Sequence, residues 1–461
     1  MRDYFDTIKS MYKWINTYAA IYVNNNLYVK ERYSIKNKYW YDLRRPYYML
    51  QAASAYYNLW KHYHKNKYLL KARSLTRNSF QGINESGCFI YDLDGVDRTI
   101  YLGGNCEDVI YLCRFADIDT DKAEEYHDVA RGVIEWIMSM QNTDGGWAMN
   151  GNAYTPLGTG HALAALSYYY QYIDDSKKTS VLNQIEKGVD FLIANQVDSG
   201  RFLCCAEIQS THEYWRAPSS DHCIALRGLT MCEYFFPNNT HIQAWHNARI
   251  KALEYLYELR HESGAIVNGE YNGVSGTKLN GADFNFITDH VYTSRYAIEA
   301  FDWCYKIDGD EEELSTMYAL CNFCAGNAWN ETYDLNAKGV LRGAYNLRDK
   351  NWDTSMIILN PGGEGGADMV YVGSVNAPIL GQLIQYNENW EEFIGVTSPI
   401  KFYDNGVIKN VLVNDEADSP LKVYYNGSIH NIVLVDSGSE HSSNWHIHIN
   451  GETKCIAADV Q

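Results

Sequence analysis

Carboxyl side chains stand near the starts of several apolar segments of this chain, where two of them together could cleave a glycosidic bond. One carboxylic acid would protonate the leaving oxygen, and a second carboxylate would act as base or nucleophile on the other face of the sugar ring. Acidic residues at helix starts also cap free backbone amides, so each position has a structural explanation too. The catalytic candidates of this kind are Asp108, Asp221, Asp289 and Glu364, and Asp353 is a candidate for binding the substrate.

Histidine and tyrosine near the same positions would suit a different reaction, the elimination that cleaves a uronic-acid polymer. That reaction needs a base to remove the proton beside the carboxylate, and a cation to neutralise the carboxylate. The candidate bases are His222, His290 and Tyr292, and the cations close to them in sequence are Arg216 and Arg295. A histidine at a helix start is often a hydrogen-bonded structural residue. His161, His222 and His290 nevertheless stand near the starts of three successive segments, which favours a shared function.

Aromatic residues near these positions favour a sugar ligand, because an aromatic ring can stack on the face of a pyranose. Trp40, Trp215 and Trp352 all lie near a predicted turn, and we expect Arg44 and His161 to contribute polar contacts to the same ligand. The chain has 39 tyrosines, which also suit a sugar-binding cleft. A genome rich in A and T would raise the tyrosine count without any such role.

A short sequence pattern returns five times and indicates what positions these side chains. Each copy is a polar turn with glycine and a large apolar residue, after a stretch of helical periodicity. The copies are Glu85–Phe89, Thr143–Trp147, Asp198–Phe202, Glu262–Ile266 and, less closely, Ala337–Val340. A repeat of this length is typical of a supersecondary unit that can bury its apolar face only against its neighbours. The sequence therefore predicts an array of helical hairpins.

Two alternating sets of helical segments occupy the intervals between these turns. The first set is apolar on most faces and should be buried nearly all round; it comprises about 46–63, 105–118, 157–173, 219–236, 289–306 and 368–386. The second set carries alternating charge on one side and should be solvated; it comprises about 6–22, 67–81, 122–140, 177–195, 241–260 and 311–329. Six inner and six outer helices predict a mainly α fold, a closed (α/α)6 toroid, because closure covers the exposed ends of the array. The loops that enter the inner helices would then bring the candidate residues together at one mouth.

The second of these turns and the segment after it resemble a known class of toroid. Gln141–Trp147, followed by Gly158–Leu163, is similar to the repeat of the α/α toroids shared by glycoside hydrolases, polysaccharide lyases and terpene cyclases. The resemblance covers about residues 1–397 and implies the fold rather than the reaction. Terpene cyclases carry aspartate clusters that Asp92-Leu93-Asp94 only approaches, and Asp221-His222-Cys223 lacks the spacing of a zinc site. We therefore expect no cofactor.

The chain changes character at about Ser398, where alternating residues and Asn-Gly turns predict β-hairpins. The turns are Asn405-Gly406, Asn426-Gly427 and Asn450-Gly451. Residues 398–461 should therefore form a small all-β module after a catalytic domain of residues 1–397. Such hairpins resemble the ends of tailed-virus tail and fibre proteins, which implies attachment to a virion or homo-oligomerisation. His446 and His448 share a strand face, so three chains around an axis could bind one metal ion, although a surface strand with two exposed histidines is the simpler explanation.

Composition narrows the partners and the location of the protein. The 461 residues carry a net charge of −18, which would repel the phosphates of nucleic acid, and 46% of them are hydrophobic, enough for a large core. The apolar stretches are too short for a membrane span, and the first residues lack the apolar core of a signal peptide. We expect no nucleic-acid partner, no membrane insertion, and a cytoplasmic or virion-associated location.

These observations lead to one main hypothesis and two alternatives. The main hypothesis is a carbohydrate-active enzyme that hydrolyses a surface or extracellular polysaccharide with a carboxylate pair; a viral tail-associated depolymerase is its most specific form. The first alternative is a polysaccharide lyase that uses a His or Tyr base with an Arg partner. The second is a glycan-binding adhesin or structural tail protein without catalysis, which should carry no carboxyl group of raised pKa at the mouth.

Overall fold

The computed structural model divides the chain into two compact units, residues 1–64 with 68–389, and residues 65–67 with 390–461. It describes residues 2–24, 26–41, 44–94, 99–149, 154–204, 208, 218–269, 286–327, 338–352, 369–390, 397–404, 407–412, 422–425, 428–431, 445–449 and 452–456. In these residues, no helix combines the length and the apolar character needed to cross a membrane.

Twelve α-helices in the described part of the first unit alternate between an inner and an outer ring. The inner helices are α2 (Pro46–Tyr63), α4 (Leu102–Ile118), α6 (Pro156–Tyr169), α8 (Pro218–Phe235), α10 (Arg295–Asp308) and α12 (Ala377–Tyr386). The outer helices are α1 (Phe5–Trp14), α3 (Asn66–Ser79), α5 (Ala123–Ser139), α7 (Asp175–Ala194), α9 (Ile242–Glu258) and α11 (Glu311–Asn327). Each helical segment predicted from the sequence overlaps one of them, and the predicted (α/α)6 toroid is confirmed.

Three of the predicted segments begin much later or end much earlier as α-helices than the sequence suggests; in one of them, 289–306, the α-helix begins only at Arg295. The first outer helix ends at Trp14 and continues as a π-helical turn, Ile15–Ala19, before the strand β1 (Ala20–Val23). The last inner segment begins with the strand β10 (Met369–Tyr371) and a π-helical turn, Val372–Asn376. Both strands are rich in β-branched and aromatic residues, which favour extended backbone over helix.

The inner helices contact one another in chain order, and α12 closes the ring by packing against α2. Helix α6 is apolar on all its faces and is buried over almost its whole length. It begins at a cap, where Thr155 Oγ1 accepts a hydrogen bond from the Gly158 N–H at 3.2 Å, and Pro156 occupies the first turn. The outer helix α5 is amphipathic instead, since it buries Ile137 and exposes Glu124.

The five glycine turns are present, each with one glycine in the left-handed region that other residues rarely adopt. These glycines are Gly87, Gly145, Gly200, Gly264 and Gly339, with φ between 75° and 92°. Each turn packs on the next outer helix. A Cβ on Gly264, for example, would lie 2.6 Å from the Ala319 carbonyl oxygen of α11. The fifth turn packs on Ser10 of α1, which closes the outer ring.

A polar side chain at or near the start of the following inner helix fastens most of these turns. The backbone N–H two residues after the left-handed glycine donates a hydrogen bond to that side chain. The pairs are Phe89 with Asn105, Trp147 with Thr159, Phe202 with His222, and Leu341 with Asn376, at 2.8 to 3.2 Å. Because a buried amide needs a partner, these polar residues stabilise the repeat itself.

The two ends of the inner ring differ in chemistry. Toward the C-terminal ends of the helices an apolar cluster reaches from α4 to α10; its members are Ile110, Ala164, Met231 and Trp303, with Tyr168 and Phe235 packed against them. The N-terminal ends are entered from small antiparallel sheets and by π-helical turns. A polar ligand would therefore be admitted at the N-terminal end, which we call the mouth.

The sheets of the first unit lie next to the starts of inner helices. Strand β10 pairs with β3 (Arg32–Ser34), which pairs with β4 (Tyr39–Tyr41). Strand β7 (Ile287–Asp289) pairs with β8 (Ala344–Asn346), which pairs with β9 (Asn351–Trp352), and β7 leads into α10 through the π-helical turn His290–Ser294. Two hairpins complete the strands: β1 with β2 (Asn26–Val29), and β5 (Trp147–Ala148) with β6 (Tyr154–Thr155).

From residue 397 onward, the described residues of the second unit are all in β-strands. Its antiparallel pairs are β11 (Thr397–Asp404) with β12 (Val407–Leu412), β13 (Lys422–Tyr425) with β14 (Ser428–Asn431), and β15 (Trp445–Ile449) with β16 (Glu452–Ile456). In the sequence, one of the predicted Asn-Gly dipeptides separates the strands of each pair. His446 and His448 are alternate residues of β15, and a metal site there stays a prediction. A role of this unit in attachment or oligomerisation also stays a prediction.

Candidate functional site

A buried carboxylate, Glu107, is the centre of an ion cluster inside the inner ring. It lies in the second turn of α4, and arginines from two other inner helices donate hydrogen bonds to its oxygens. Arg227 of α8 binds both oxygens, Oε2 at 3.2 Å, and Arg295 of α10 binds Oε2 at 2.6 Å. All three side chains are at most 4% exposed. The cluster therefore joins three of the six inner helices through the middle of the ring.

A second carboxylate, Glu299 of α10, faces the same two arginines. Its Oε2 accepts a hydrogen bond from Arg227 Nη1 at 2.5 Å, and its Oε1 lies 3.6 Å from Arg295 Nε. Two carboxylates thus balance two guanidinium groups, which is the condition for keeping charges in a protein interior. The pairing requires α4, α8 and α10 to stand in the closed ring.

Aromatic residues contact the cations of the cluster. The Tyr296 ring lies 4.6 Å from the Arg295 guanidinium and 4.8 Å from that of Arg227. The Tyr111 hydroxyl accepts a hydrogen bond from Arg295 Nη2 at 3.1 Å. Such cation–π contacts stabilise desolvated cations. Ring faces beside fixed hydrogen-bonding groups are also the combination that sugar-binding pockets use.

Asp108, the next residue of α4, is held in the opposite charge state from Glu107. Burial opposes the ionisation of Glu107, but the charges of Arg227 and Arg295 outweigh it and hold the pKa well below its ordinary value. Burial, reinforced by the charge of Glu107, raises the pKa of Asp108 well above its ordinary value. Neither oxygen of Asp108 has a hydrogen-bond partner among the described residues. The surroundings therefore favour the ionised form of Glu107 and the protonated form of Asp108, its neighbour on the same helix.

His161 of α6 lies beside this pair of acids. Its Nδ1 is 3.1 Å from Glu107 Oε1, and its ring meets the Tyr296 ring edge-on, with the centroids 5.5 Å apart. A Cβ on Gly103 would lie 3.1 Å from the His161 ring, so the glycine lets α4 and α6 approach closely here. The contact of Nδ1 with the carboxylate therefore fixes the orientation of the His161 ring beside the two acids.

Two other predicted bases, His222 and His290, are held by different contacts. His222 Nδ1 accepts a hydrogen bond from the Phe202 N–H at 3.2 Å, and its Nε2 donates one to the Ala252 carbonyl at 2.7 Å. His290 Nδ1 lies 2.9 Å from Ser294 Oγ. Burial lowers the pKa of His222 to about 4 and that of His290 to about 3, so both rings are neutral at pH 7. These contacts stabilise the packing of the toroid around the two histidines. Neither histidine takes part in the function proposed below.

The remaining catalytic candidates in the described residues lie at the starts of α8 and α10. Asp221 is buried in the first turn of α8, and Asp289 is buried at the end of β7. Tyr292 is half-buried in the π-helical turn before α10. Burial, Tyr48 and, more weakly, Tyr292 raise the pKa of Tyr47 in the first turn of α2, so Tyr292 and Tyr47 are neighbours at the mouth.

The predicted substrate-binding residues other than His161 and Arg295 lie away from the ion cluster or outside the described residues. Trp40 in β4 is half-buried, with its ring 5.8 Å from that of Trp14 and 5.2 Å from that of Tyr33. Arg44 forms an ion pair with Asp94. Trp352 belongs to β9, whereas Trp215, Arg216, Asp353 and Glu364 lie outside the described residues, and their roles stay predictions.

Glu107, Arg227 and Glu299 are not among the site residues selected from the sequence. Each is a charged residue inside an inner segment that is otherwise apolar on most faces. Charged residues are almost never fully buried unless they are paired, so this pattern indicates an internal ion cluster. Which charge meets which could not be read from the chain, because the partners come from three repeats far apart in sequence.

Known proteins resemble this chain in structure but not detectably in sequence, since no family model and no curated protein matches it. Cellobiose 2-epimerase from Bacillus thermoamylovorans superposes with a TM-score of 0.55 at 11% identity, over 82% of this chain and 99% of that one. D-mannose isomerase superposes with a TM-score of 0.57 at 12% identity, over 83% of this chain and 97% of that one. The GH76A α-1,6-mannanase of Salegentibacter sp. HEL1_6 superposes with a TM-score of 0.54 at 14% identity, over 83% of this chain and 99% of that one. That structure is of an inactive variant in complex with α-1,6-mannotriose, in which two consecutive aspartates are replaced by asparagine.

These likenesses establish the fold of the first unit. It is an (α/α)6 toroid. At such low identity a shared fold does not carry a shared reaction, so the function has to be argued from the residues of the site.

Proposed function

We propose that the protein is a carbohydrate-active enzyme that hydrolyses glycosidic bonds at the mouth of the toroid. Asp108 would act as the general acid, and Glu107 with His161 would supply the base. The observation that carries this proposal is the contrast between two adjacent buried carboxyl groups: Glu107 is paired with two arginines, which lowers its pKa, and Asp108 has no hydrogen-bond partner among the described residues, with a raised pKa. Neighbouring titratable groups whose pKa values are driven apart are typical of an acid and a base with separate roles. Glycoside hydrolysis requires that division.

The reaction assigns one proton transfer to each side of the glycosidic bond. Asp108 gives its proton to the leaving oxygen as the bond from the anomeric carbon breaks. His161 Nε2 takes a proton from the attacking water, and the carboxylate of Glu107 stabilises the imidazolium that results. The two arginines make Glu107 a weak nucleophile, so we assign it to orientation of His161 rather than to covalent attack.

One of the structurally similar enzymes also depends on two consecutive acids for its activity. The Salegentibacter mannanase is inactive when two consecutive aspartates are replaced by asparagine. Here Glu107-Asp108 is a consecutive acid pair on an inner helix. Linear α-1,6-linked manno-oligosaccharides are therefore the first substrates to test.

A second candidate function, epimerisation or isomerisation of a reducing sugar, is favoured by His161. Its Nδ1 contact with Glu107 orients the imidazole, a group that can remove a proton beside a carbonyl group. A cellobiose 2-epimerase and a D-mannose isomerase are among the similar structures. The two candidates differ in product, because hydrolysis creates new reducing ends and epimerisation creates none.

The other hypotheses have less support. For the lyase, the lowered pKa values of His222 and His290 make them weak bases and both are held by structural contacts, which leaves Tyr292 as its candidate base. A binding protein without catalysis should lack a carboxyl group of raised pKa near the mouth, whereas Asp108 is one. The virion-tail hypothesis depends on the sequence of residues 398–461 alone.

The deciding experiment incubates the purified protein with α-1,6-manno-oligosaccharides, other neutral glycans and uronic-acid polysaccharides. New reducing ends without the ultraviolet absorbance of unsaturated uronates would support hydrolysis. A changed reducing-end sugar, seen by NMR without cleavage, would support the epimerase instead. Asp108→Asn should abolish cleavage, and the matched control is Asp117→Asn, which replaces an exposed acid on the same helix that accepts a hydrogen bond from Tyr172 at 2.9 Å.

A further inference from the structure

Three half-buried tyrosine rings form a row that begins beside a partly exposed glycine in the first turn of α4. The atoms nearest to a Cβ built on Gly104 belong to Tyr47, at 3.7 to 3.8 Å. The Tyr47 ring is nearly parallel to that of Tyr91, with an interplanar angle of 21° and centroids 6.3 Å apart, and Tyr91 lies 4.4 Å from Tyr101. We call this row of three rings the tyrosine platform.

The tyrosine platform adjoins the acid pair along α4. Gly104 and Asp108 are four residues apart and share one face of the helix, and Gly103 has the same relation to Glu107. Side chains on a helix lean toward its N-terminus, so both carboxyl groups extend toward the two glycines. A sugar ring resting against Gly104 would therefore have its neighbouring glycosidic bond about one helical turn, roughly 5 Å, from the acids.

The platform is rigid before any ligand binds. The Arg45 guanidinium lies 3.6 Å from the centroid of the Tyr91 ring and forms an ion pair with the buried Glu31 at 2.8 Å. The Tyr47 hydroxyl lies 3.3 Å from Ser374 Oγ. Rings that are already fixed lose little conformational entropy when a ligand stacks on them, which favours binding.

The charges beside the platform indicate a neutral ligand. Arg45 is paired with Glu31, and Arg44 is paired with Asp94. A uronate would have to break one of these pairs to gain a cation, whereas the C–H face of a neutral pyranose needs only the ring faces.

We propose that the tyrosine platform is a subsite for one neutral pyranose ring, the ring next to the bond that Asp108 cleaves. The inference rests on the proposed function and adds to it the class of sugar and the residues that hold it. Aromatic stacking of this kind contributes about 0.5–1.5 kcal/mol for each ring, enough to change KM by roughly tenfold.

The test is a volume series at Gly104 with a control glycine on the outer ring. Gly104→Ala places its methyl group at ordinary contact distance from Tyr47 and should raise KM by less than the larger side chain does. Gly104→Leu occupies the subsite and should raise KM for neutral oligosaccharides about tenfold or more with little change in kcat. Gly326→Leu on α11 is the control, because nothing lies within 4 Å of its Cβ position. Thermal unfolding of each variant establishes that it is folded.

The outcomes separate this subsite from the proposed function. If Asp108→Asn abolishes turnover but Gly104→Leu, folded, keeps the wild-type KM, the subsite is wrong and the function stands. If Asp108→Asn turns over normally, the function is wrong, and calorimetric binding of mannotriose then decides the subsite: loss in Gly104→Leu supports it and retention rejects it. Equal KM effects of Gly326→Leu, or tighter binding of a uronate trisaccharide than of mannotriose, would also overturn the proposal.

Discussion

Arg295 Nη2 lies 2.6 Å from Glu107 Oε2, although their helices, α10 and α4, stand opposite each other in the ring of six inner helices. The interior of the toroid is therefore bridged by ion pairs at this level. Toward the C-terminal ends of the helices the apolar cluster follows, and toward the N-terminal ends lies the mouth. The ion cluster thus forms a charged floor where polar ligands can first meet fixed charges.

The two adjacent acids should respond differently to loss of their charge. Asp108→Asn replaces one neutral group by another, so we expect a change of less than about 1 kcal/mol in the free energy of unfolding at acidic pH, together with a loss of about 10²–10⁴-fold in kcat for glycoside cleavage. Glu107→Gln leaves two buried arginines short of a partner and should cost about 3–5 kcal/mol of stability. Urea denaturation and steady-state kinetics on both variants measure this difference. Similar destabilisation by both would contradict the assigned charge states.

The stability of Asp108→Asn relative to the wild type should increase with pH. The folded protein keeps the Asp108 proton, whereas the unfolded chain loses it above a pKa of about 3.9, so between these two pKa values the wild type becomes less stable as pH rises. The variant has no such proton, and its advantage should grow by up to about 1.4 kcal/mol per pH unit. Both proteins are compared between pH 5 and 8. Subtracting the wild-type unfolding free energy from that of the variant removes the contribution of histidine titration, which is the same in both proteins. A difference that does not change with pH would show that Asp108 is ionised in the folded protein as well as in the unfolded chain, and would contradict the prediction.

The fold could be predicted from the sequence because its signals are local and repeated. Glycines with positive φ and the apolar residue after each of them mark five of the connections from an outer to an inner helix, as Gly200 and Phe202 do. Comparison of the repeats explains the structural role of His222, which the residues near it in sequence do not reveal. Its position suggested a catalytic base, but the equivalent residues Asn105 and Thr159 hold the same backbone amide in their repeats. Aligning the repeats residue by residue would have assigned His222 to the scaffold.

The ion cluster could be predicted only in part. Asp108, His161 and Arg295 are selected from the sequence because each is a reactive type of residue near a helix start. Glu107 forms ion pairs with arginines 120 and 188 positions away in the chain, and nothing local distinguishes these partners from other buried positions. Charge pairing across a closed ring follows from the ring geometry rather than from periodicity. That is why the fold was predicted more completely than the site.

Glu299→Gln should move the pH profile of activity to lower pH. Removing this carboxylate leaves Arg227 and Arg295 less neutralised, which favours the ionised forms of Glu107 and Asp108 and lowers the pKa of both. Since Asp108 must be protonated to act, the alkaline limb of kcat/KM should shift toward acid, while stability falls by about 1–3 kcal/mol. Glu312→Gln on the outer ring, whose partner is Arg260, should leave the profile unchanged. If the alkaline limb of kcat/KM does not shift in Glu299→Gln, the charge of Glu299 does not affect the acid pair and the prediction is wrong.

His222→Ala should damage folding and spare catalysis. The substitution leaves the Phe202 N–H and the Ala252 carbonyl without their partner, at about 1–3 kcal/mol each, so chemical denaturation should show a loss of about 2–5 kcal/mol. His222→Asn should recover part of this loss, because Asn105 forms the equivalent bond to Phe89 at 2.8 Å in its own repeat. The turnover rate of the folded fraction should stay within about twofold of the wild type in both variants, since the proposed reaction uses no group on His222. A roughly hundredfold or greater loss of turnover at unchanged stability would instead identify His222 as a catalytic base. That result would favour the lyase hypothesis, because elimination from a uronate requires a base that is not held by structural hydrogen bonds.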